Sequence, residues 1–120
     1  AINPALVEGQ VEGGFVQGVG YSLVEEMVWD GPRLANPNLM DYKIPGTLDV
    51  PYNINPIIVE HPEPDGPYGA KGVGEICLVT VPAAICNATT RAVNINLRQL
   101  PMTTERVFEA LDQGKESNAT

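Results

Sequence analysis

The sequence predicts an α/β fold, with α+β as the alternative, built from about three helices and a few short strands. Three observations carry this expectation. Asn3-Pro4 opens a long apolar, glycine-containing stretch. Two later stretches, at Thr80-Val81-Pro82 and at Thr103-Thr104-Glu105, carry helix-start signals. Ahead of both, the β-branched run Ile57-Ile58-Val59 lies among Pro, Gly and Asp breakers. The expected organisation is one unit over residues 1–114 and a polar tail over 115–120.

The 120 residues suit one small domain, and 43% apolar content argues against extensive disorder. Fifteen acidic against seven basic residues give a net charge of −8. Neither nucleic acid nor an anionic membrane surface attracts such a chain. No unbroken run of 18 apolar residues occurs, so no membrane-spanning helix is expected. No signal peptide is visible, but Ala1 opens in mid-motif without an initiator Met, so the chain is expected to be a piece of something larger. Cys77 and Cys86 stand nine apart with no C-x-x-C spacing. One His and two unclustered thiols are too few for a zinc or iron–sulfur site, and buried free thiols are favoured over a disulfide.

The first helix is expected from the Asn3 N-cap, with Pro4 at its first position, to about Val28. At about 100° per residue, Gly9, Gly13 and Gly20 share a narrow stripe, with Gln10 and Gln17 beside it. Val11, Phe15, Val19, Leu23 and Met27 spread around much of the rest, as in a buried helix. Five glycines at about 1 kcal/mol each against Ala need compensation. Close approach of a neighbouring element or a ligand would supply it. So apolar a helix also needs more surrounding material than 120 residues contain.

Trp29-Asp30-Gly31-Pro32 is a turn, and Asn36-Pro37-Asn38 a loop. Asp41 to Ile44 is a short extended piece stopped by Pro45-Gly46. Ile57-Ile58-Val59 is the clearest strand and leads into an acidic loop, Glu60 to Asp65. The second helix runs from Thr80 to about Val93, kept slim by Ala83, Ala84, Ala88 and Ala92. The third, capped by Thr103 or Thr104 and supported by Glu105, runs to Leu111 with Gly114 as its stop.

Gly66-Pro67-Tyr68-Gly69-Ala70-Lys71-Gly72-Val73-Gly74-Glu75 concentrates the chemistry. Glycines let backbone approach a ligand, and a carboxylate at the loop's end is placed for acid–base work. The plain alternative is a tight connection with a solvated Glu. Lys71 precedes Gly72 and no Ser or Thr follows, so the loop is not a P-loop. The order G-x-x-G-x-G reverses the dinucleotide fingerprint. His61 is the one His; it lies in a Pro/Asp/Glu loop and is read as a surface residue, which disfavours Ser- or Cys-nucleophile chemistry. Nothing pairs a second carboxylate with Glu75 as a glycosidase would need. What remains is one carboxylate base beside a bound anionic cofactor, which Lys71 and the loop amides would suit.

Gly69-Ala70-Lys71-Gly72-Val73-Gly74-Glu75 resembles a signature of the molybdenum-binding subunit of the xanthine dehydrogenase/aldehyde oxidase family. Asn3-Pro4, the stretch from Gly9-Gln10-Val11-Glu12-Gly13-Gly14 to Gly20, and Glu25-Glu26 resemble that family's long Gln/Gly segment. Asp41-Tyr42-Lys43-Ile44-Pro45, Pro82 to Ile85, Leu100-Pro101 and Thr103-Thr104-Glu105 also match, in order. The resemblance implies the C-terminal part of a molybdopterin-binding domain several times longer. It implies Glu75 as the general base beside molybdenum while an electron-poor carbon is hydroxylated, and Gln10 as a contact to the pterin. Lys71, Gly72, Val73 and Gly74 would form the loop around the cofactor. FAD and 2Fe–2S groups are expected on other domains or subunits, with a small-molecule substrate (purine, aldehyde, N-heterocycle or CO) and a cytoplasmic setting. The isolated chain is expected to be inactive. The alternative is a non-catalytic interaction or scaffold domain that keeps the fold.

Overall fold

The structure, a computed structural model, describes residues 1–117, with side chains through residue 114. Helix α1 spans Pro4–Leu23. The Asn3 carboxamide accepts from the Leu6 N–H at 3.2 Å, and Pro4 occupies the first turn, where no N–H is needed. The helix ends about five residues before Val28, because the Val24 and Glu25 N–H groups both fold back onto the Gly20 carbonyl at 3.0 and 2.9 Å.

The expected turn at Trp29 to Pro32 is the bend of a small antiparallel hairpin, β1 (Trp29–Asp30) and β2 (Arg33–Leu34). Pro32 fixes a negative φ, so the positive φ of 56° falls on Gly31. Asn36 anchors the hairpin's base: its side chain accepts from Val28 N–H at 2.9 Å and donates to the Glu26 carbonyl at 2.6 Å.

Two strand expectations fail. Residues 54–63 carry no ladder, so Ile57-Ile58-Val59 is no strand; Ile57 and Val59 are exposed. A β-branched run becomes a strand only beside a partner strand, and residues 1–117 offer none. Asp41 closes a turn on Asn38, and residues 43–46 follow without a strand partner, Gly46 being bonded to Asp49.

A short turn, Pro67–Gly69, and a 3-10 turn, Glu75–Leu78, precede helix α2, Val81–Val93. The start at Thr80 and the end at Val93 agree with the sequence reading. Asn94 closes α2 in the left-handed conformation at φ 54°, one of the few non-glycine residues suited to it. Helix α3 runs Thr104–Ser117. The Thr103 hydroxyl caps it, accepting from Arg106 N–H at 3.3 Å. Glu105 is held below the usual carboxylate range by its own backbone N–H and by the Thr103 hydroxyl. The helix passes straight through Gly114, which was expected to stop it, and takes up the backbone of 115–117 of the expected tail. Residues 118–120 lie outside the described residues.

The centre is the contact of α1 with the 3-10 turn and the start of α2. Here α1 approaches through Gly14 and Gly18: a methyl group on Gly14 would stand 2.6 Å from Cys77 Cβ, and one on Gly18 2.5 Å from Val81 Cβ. The far end of α1 is held by the C-terminal leg. Buried Ser22 donates to the Gly18 carbonyl at 2.6 Å, while its own carbonyl accepts from Met102 N–H at 2.6 Å. Arg106 donates to the Pro101 carbonyl at 2.8 Å and to Glu26 at 2.5 Å. Glu25 accepts from the Tyr42 hydroxyl at 2.8 Å. That hydrogen bond first, then partial burial and the Glu25 charge, pushes the Tyr42 phenol up to about 12.

The core is thin. Val81 and Met102 are the buried hydrophobic side chains among the described residues, and α1, expected to be buried all round, leaves Leu6 and Tyr21 exposed. The radius of gyration is 18.4 Å, against about 14 Å for a compact domain of this length. The accessible surface of 9318 Å² exceeds by about 3000 Å² that of a compact monomer of this mass. The expectation of no membrane-spanning stretch needs adjusting on composition: the 19 residues Glu75–Val93 have a mean hydropathy of 1.4. Their α-helical part, α2, has 13 residues and is about 20 Å long, short of a hydrocarbon core of about 30 Å.

Two outcomes follow from this architecture. Expressed alone, the chain should bind a hydrophobic dye such as ANS and self-associate; a monodisperse monomer with one sharp thermal transition would contradict the thin core. Tyr42 has a folded pKa raised above its unfolded value near 10. Its bond to Glu25 therefore stabilises fully below pH 10 and is lost as pH rises through about 12. In the tyrosinate absorbance difference between wild type and Y42F, Glu25→Gln should move the midpoint down toward 10; an unmoved midpoint would refute the assignment to Glu25.

Candidate cofactor site

The Gly66–Glu75 loop is a folded structure. Glu63 N–H donates to the Gly69 carbonyl at 2.9 Å, Gly66 N–H to Glu63 at 3.1 Å, and Gly69 N–H to Gly66 at 3.0 Å. Closure this tight places Tyr68 at φ 55° and Gly69 at φ 74°. Gly69 has a further reason to lack a side chain, since a methyl there would stand 2.8 Å from Pro62 Cβ. The knot of residues 62–70 is thus pinned, and the loop leaves it as Lys71-Gly72-Val73-Gly74.

This exit faces the first half of α1. A groove of about 550 Å³ lies between the N-terminal turns of α1, the extended residues 58–62 and loop residues 69–73. Gln10, Lys71, Gly72 and Val73 line it, with Leu6 and Ile58 among its apolar walls. Gln10 is also the neighbour of Gly74: a methyl on Gly74 would lie 4.0 Å from Gln10 Oε1. The structure therefore brings five of the six sequence-predicted residues to one place. Glu75 follows directly as the first residue of the 3-10 turn, at the edge of the groove and outside its lining. Its side chain is exposed in this chain rather than enclosed.

Lys71 is exposed, with its ammonium 3.5 Å from His61 Nδ1; His61 is exposed, as read from the sequence. Cys77 and Cys86 are free, but half-buried rather than buried as expected, because so thin a core does not enclose them; the Cys86 thiol donates to the Leu97 carbonyl at 3.2 Å. No cluster of three or more metal-ligating side chains occurs among the described residues.

The stripe chosen from the sequence, Gly9, Gly13 and Gly20, is not the contact face. Nothing lies within 4 Å of a methyl on Gly9 or Gly13, and Gly20 is covered by Glu25 and Pro45. The contact face is Gln10, Gly14 and Gly18, at i, i+4 and i+8. That spacing was visible, but two overlapping glycine stripes cannot be ranked without knowing the partner. The wall at Ile58 was also missed, because that run had been assigned to a strand.

The lining offers hydrogen-bonding groups that suit a heteroatom-rich ligand, with Lys71 the cation and Glu60 the carboxylate among its side chains. Gln10 presents a carboxamide that both donates and accepts. Lys71 adds a positive charge, and open space beside Gly72 lets backbone approach a ligand. The groove lies within the usual volume range for small-molecule sites.

Comparison with known proteins agrees. Residues 1–51 match the family described as "Molybdopterin cofactor-binding domain". The chain is 43% identical over 110 residues to the xanthine dehydrogenase molybdenum-binding subunit of Escherichia coli O157:H7, covering 90% of this chain and 14% of the relative. It is 41% identical over 115 residues to the nicotine 6-hydroxylase large subunit of Paenarthrobacter nicotinovorans, covering 91% of this chain and 14% of the relative. The crystal structure of quinoline 2-oxidoreductase from Pseudomonas putida 86 superposes with a TM-score of 0.83 at 40% identity, over 92% of this chain and 14% of that one. These matches define a molybdopterin-binding segment. Within that class, the chain is homologous to the xanthine dehydrogenase/aldehyde oxidase family of molybdenum hydroxylases. It spans about 14% of the length of the curated relatives described here.

Proposed function

We propose that this segment supplies two working parts of a molybdenum hydroxylase, a cofactor-holding face and a general base. The complete protein would hydroxylate an electron-poor carbon of an N-heterocycle or aldehyde. The observation that carries the reading is the meeting of Gln10 with Lys71, Gly72 and Val73 at one groove, with Gly74 beside Gln10 and Glu75 next along the chain. N-heterocycles are favoured within the substrate class, since two of the similar proteins are named for nicotine and quinoline.

On this reading Gln10 holds the pterin through its carboxamide, and Lys71 and the glycine amides favour the cofactor's negative charge. When bound, the cofactor's molybdenum supplies oxygen-transfer chemistry and accepts two electrons. Glu75 takes, at a carboxylate oxygen, the proton that the oxygen nucleophile loses as it adds to the substrate carbon. Exposure of Glu75 in this chain leaves it free to receive that proton; enclosure from water falls to the remainder of the domain. That remainder, together with FAD- and 2Fe–2S-bearing subunits, forms the partner set, and the cytoplasm the proposed setting.

In the complete enzyme, Glu75→Gln should lower turnover by at least about a hundredfold, the scale of a lost general base, with molybdenum content unchanged. Turnover within a few-fold of wild type would remove Glu75 from the chemistry and favour a scaffold role. Gln10→Ala should weaken cofactor retention by about tenfold, the value of one hydrogen bond of about 1.4 kcal/mol. Molybdenum and pterin analysis after native purification measures this, and full occupancy under dilution would exclude the contact.

A further inference from the structure

We propose that Gly14 is a positioning residue for Glu75. It lets α1 sit directly against Cys77 and so sets the 3-10 turn that begins with Glu75 in register with Gln10. This inference rests on the reading of Glu75 and Gln10 given above.

Gln10, Gly14 and Gly18 lie on successive turns of one face of α1, and opposite them in order stand Gly74, Cys77 and Val81. A methyl on Gly14 would meet Cys77 Cβ at 2.6 Å, its carbonyl carbon at 3.3 Å and its Cα at 3.4 Å. None of these atoms belongs to the end of a flexible side chain, so no rotamer change relieves the overlap. The turn itself has to move. Cys77 lies two residues after Glu75, and its N–H donates to the Gly74 carbonyl at 3.2 Å, so a displacement reaches the residues on both sides of Glu75.

Gly18 is the natural comparator. The three atoms nearest its methyl would all be side-chain atoms of Val81, Cβ at 2.5 Å, Cγ1 at 2.9 Å and Cγ2 at 3.1 Å, beyond the end of the 3-10 turn. Overlap there disturbs the start of α2. Both glycines pack; Gly14 alone packs against the turn that carries the carboxylate.

The test uses the complete, cofactor-loaded enzyme. G14A, G18A, C77G, G14A/C77G and E75Q are compared for kcat per molybdenum and KM on quinoline, nicotine and benzaldehyde. The rate of iodoacetamide alkylation at Cys77, mapped by mass spectrometry, is measured in the variants that keep this cysteine. Misplacement by about 1 Å costs on the order of a hundredfold, so G14A should lose at least about tenfold in kcat with KM within about threefold. Cys77 in G14A should alkylate at least about tenfold faster as the turn lifts from α1, with neither change in G18A. C77G removes the opposing Cβ, so the double variant should recover turnover relative to G14A and, by refilling the gap, exceed C77G alone.

Wild-type kcat and alkylation in G14A, equal losses in G14A and G18A, or a double variant no better than G14A would each overturn the inference. If G14A fails to fold, C77G against the double variant decides, and equal or lower kcat in the double overturns it. Where none of the three substrates is turned over, alkylation decides. E75Q separates the two levels. Its retention of turnover defeats the reading of Glu75, whereas an inactive E75Q beside a fully active G14A defeats only the role of Gly14.

Discussion

The approach of α1 to the Glu75–Leu78 turn and α2 is the constraint on which the rest of the structure depends. It is a contact between a helix surface without side chains and the first atoms of two others, Cys77 and Val81. Alanine at Gly14 or Gly18 would gain about 1 kcal/mol of helix propensity. It would also force an overlap whose usual cost is about 1–3 kcal/mol, more where the backbone itself has to yield. At these two positions glycine wins. At Gly9 and Gly13, where nothing lies within 4 Å, no contact within this chain offsets the propensity cost.

The hairpin side and the C-terminal leg are held by polar links to the end of α1, while Glu60 pairs with the chain's amino terminus at 2.8 Å. Ser22, Glu25 and Glu26 follow one another closely, and each reaches a different distant segment: Met102, Tyr42 and Arg106. A chain with so few buried apolar side chains cannot define these long connections by hydrophobic packing alone. Hydrogen bonds from charged groups, each worth about 1.5–3 kcal/mol when partly buried, carry more of the specification than is usual. Arg106 is the clearest case, spanning Pro101 and Glu26 with one guanidinium, as only a planar fork of donors can.

Helix starts were legible because their causes are local. Asn3-Pro4, Thr80 with Pro82, and Thr103 each satisfy or avoid backbone N–H groups within a few residues, and each appears where the sequence placed it. Features with non-local causes were not legible. The end of α1 depends on how residues 24–28 leave toward the hairpin, and α3 continues through Gly114, whose position lies near Ile95. Ile57-Ile58-Val59 has the composition of a strand but no partner. In the candidate site, Gln10 and the Gly72–Gly74 loop were recognisable as motifs. Their meeting at one groove was not, since it depends on which of two glycine stripes α1 turns inward.

The exposed surface completes the physical picture. An excess of about 3000 Å² over a compact monomer is one face only; with an equal opposing face it would make about 6,000 Å² of buried surface, beyond the 2,000–5,000 Å² usual for obligate interfaces. Leu48, Tyr52, Ile57 and Val59 contribute apolar side chains to it, and much of the apolar Glu75–Val93 stretch is open as well. On the proposed reading these surfaces face the remainder of a domain about seven times longer, given a 14% share. The division of labour is then unequal. The spacing between Gln10 and Glu75, the proposed cofactor contact and base, would be set inside this chain, by one helix face against one turn. Enclosure of the base and choice of substrate are left to residues elsewhere. On the same proposed reading, the contact of α1 with the Glu75–Leu78 turn would serve the step common to the family's substrates, and the walls that choose among them would lie outside this chain.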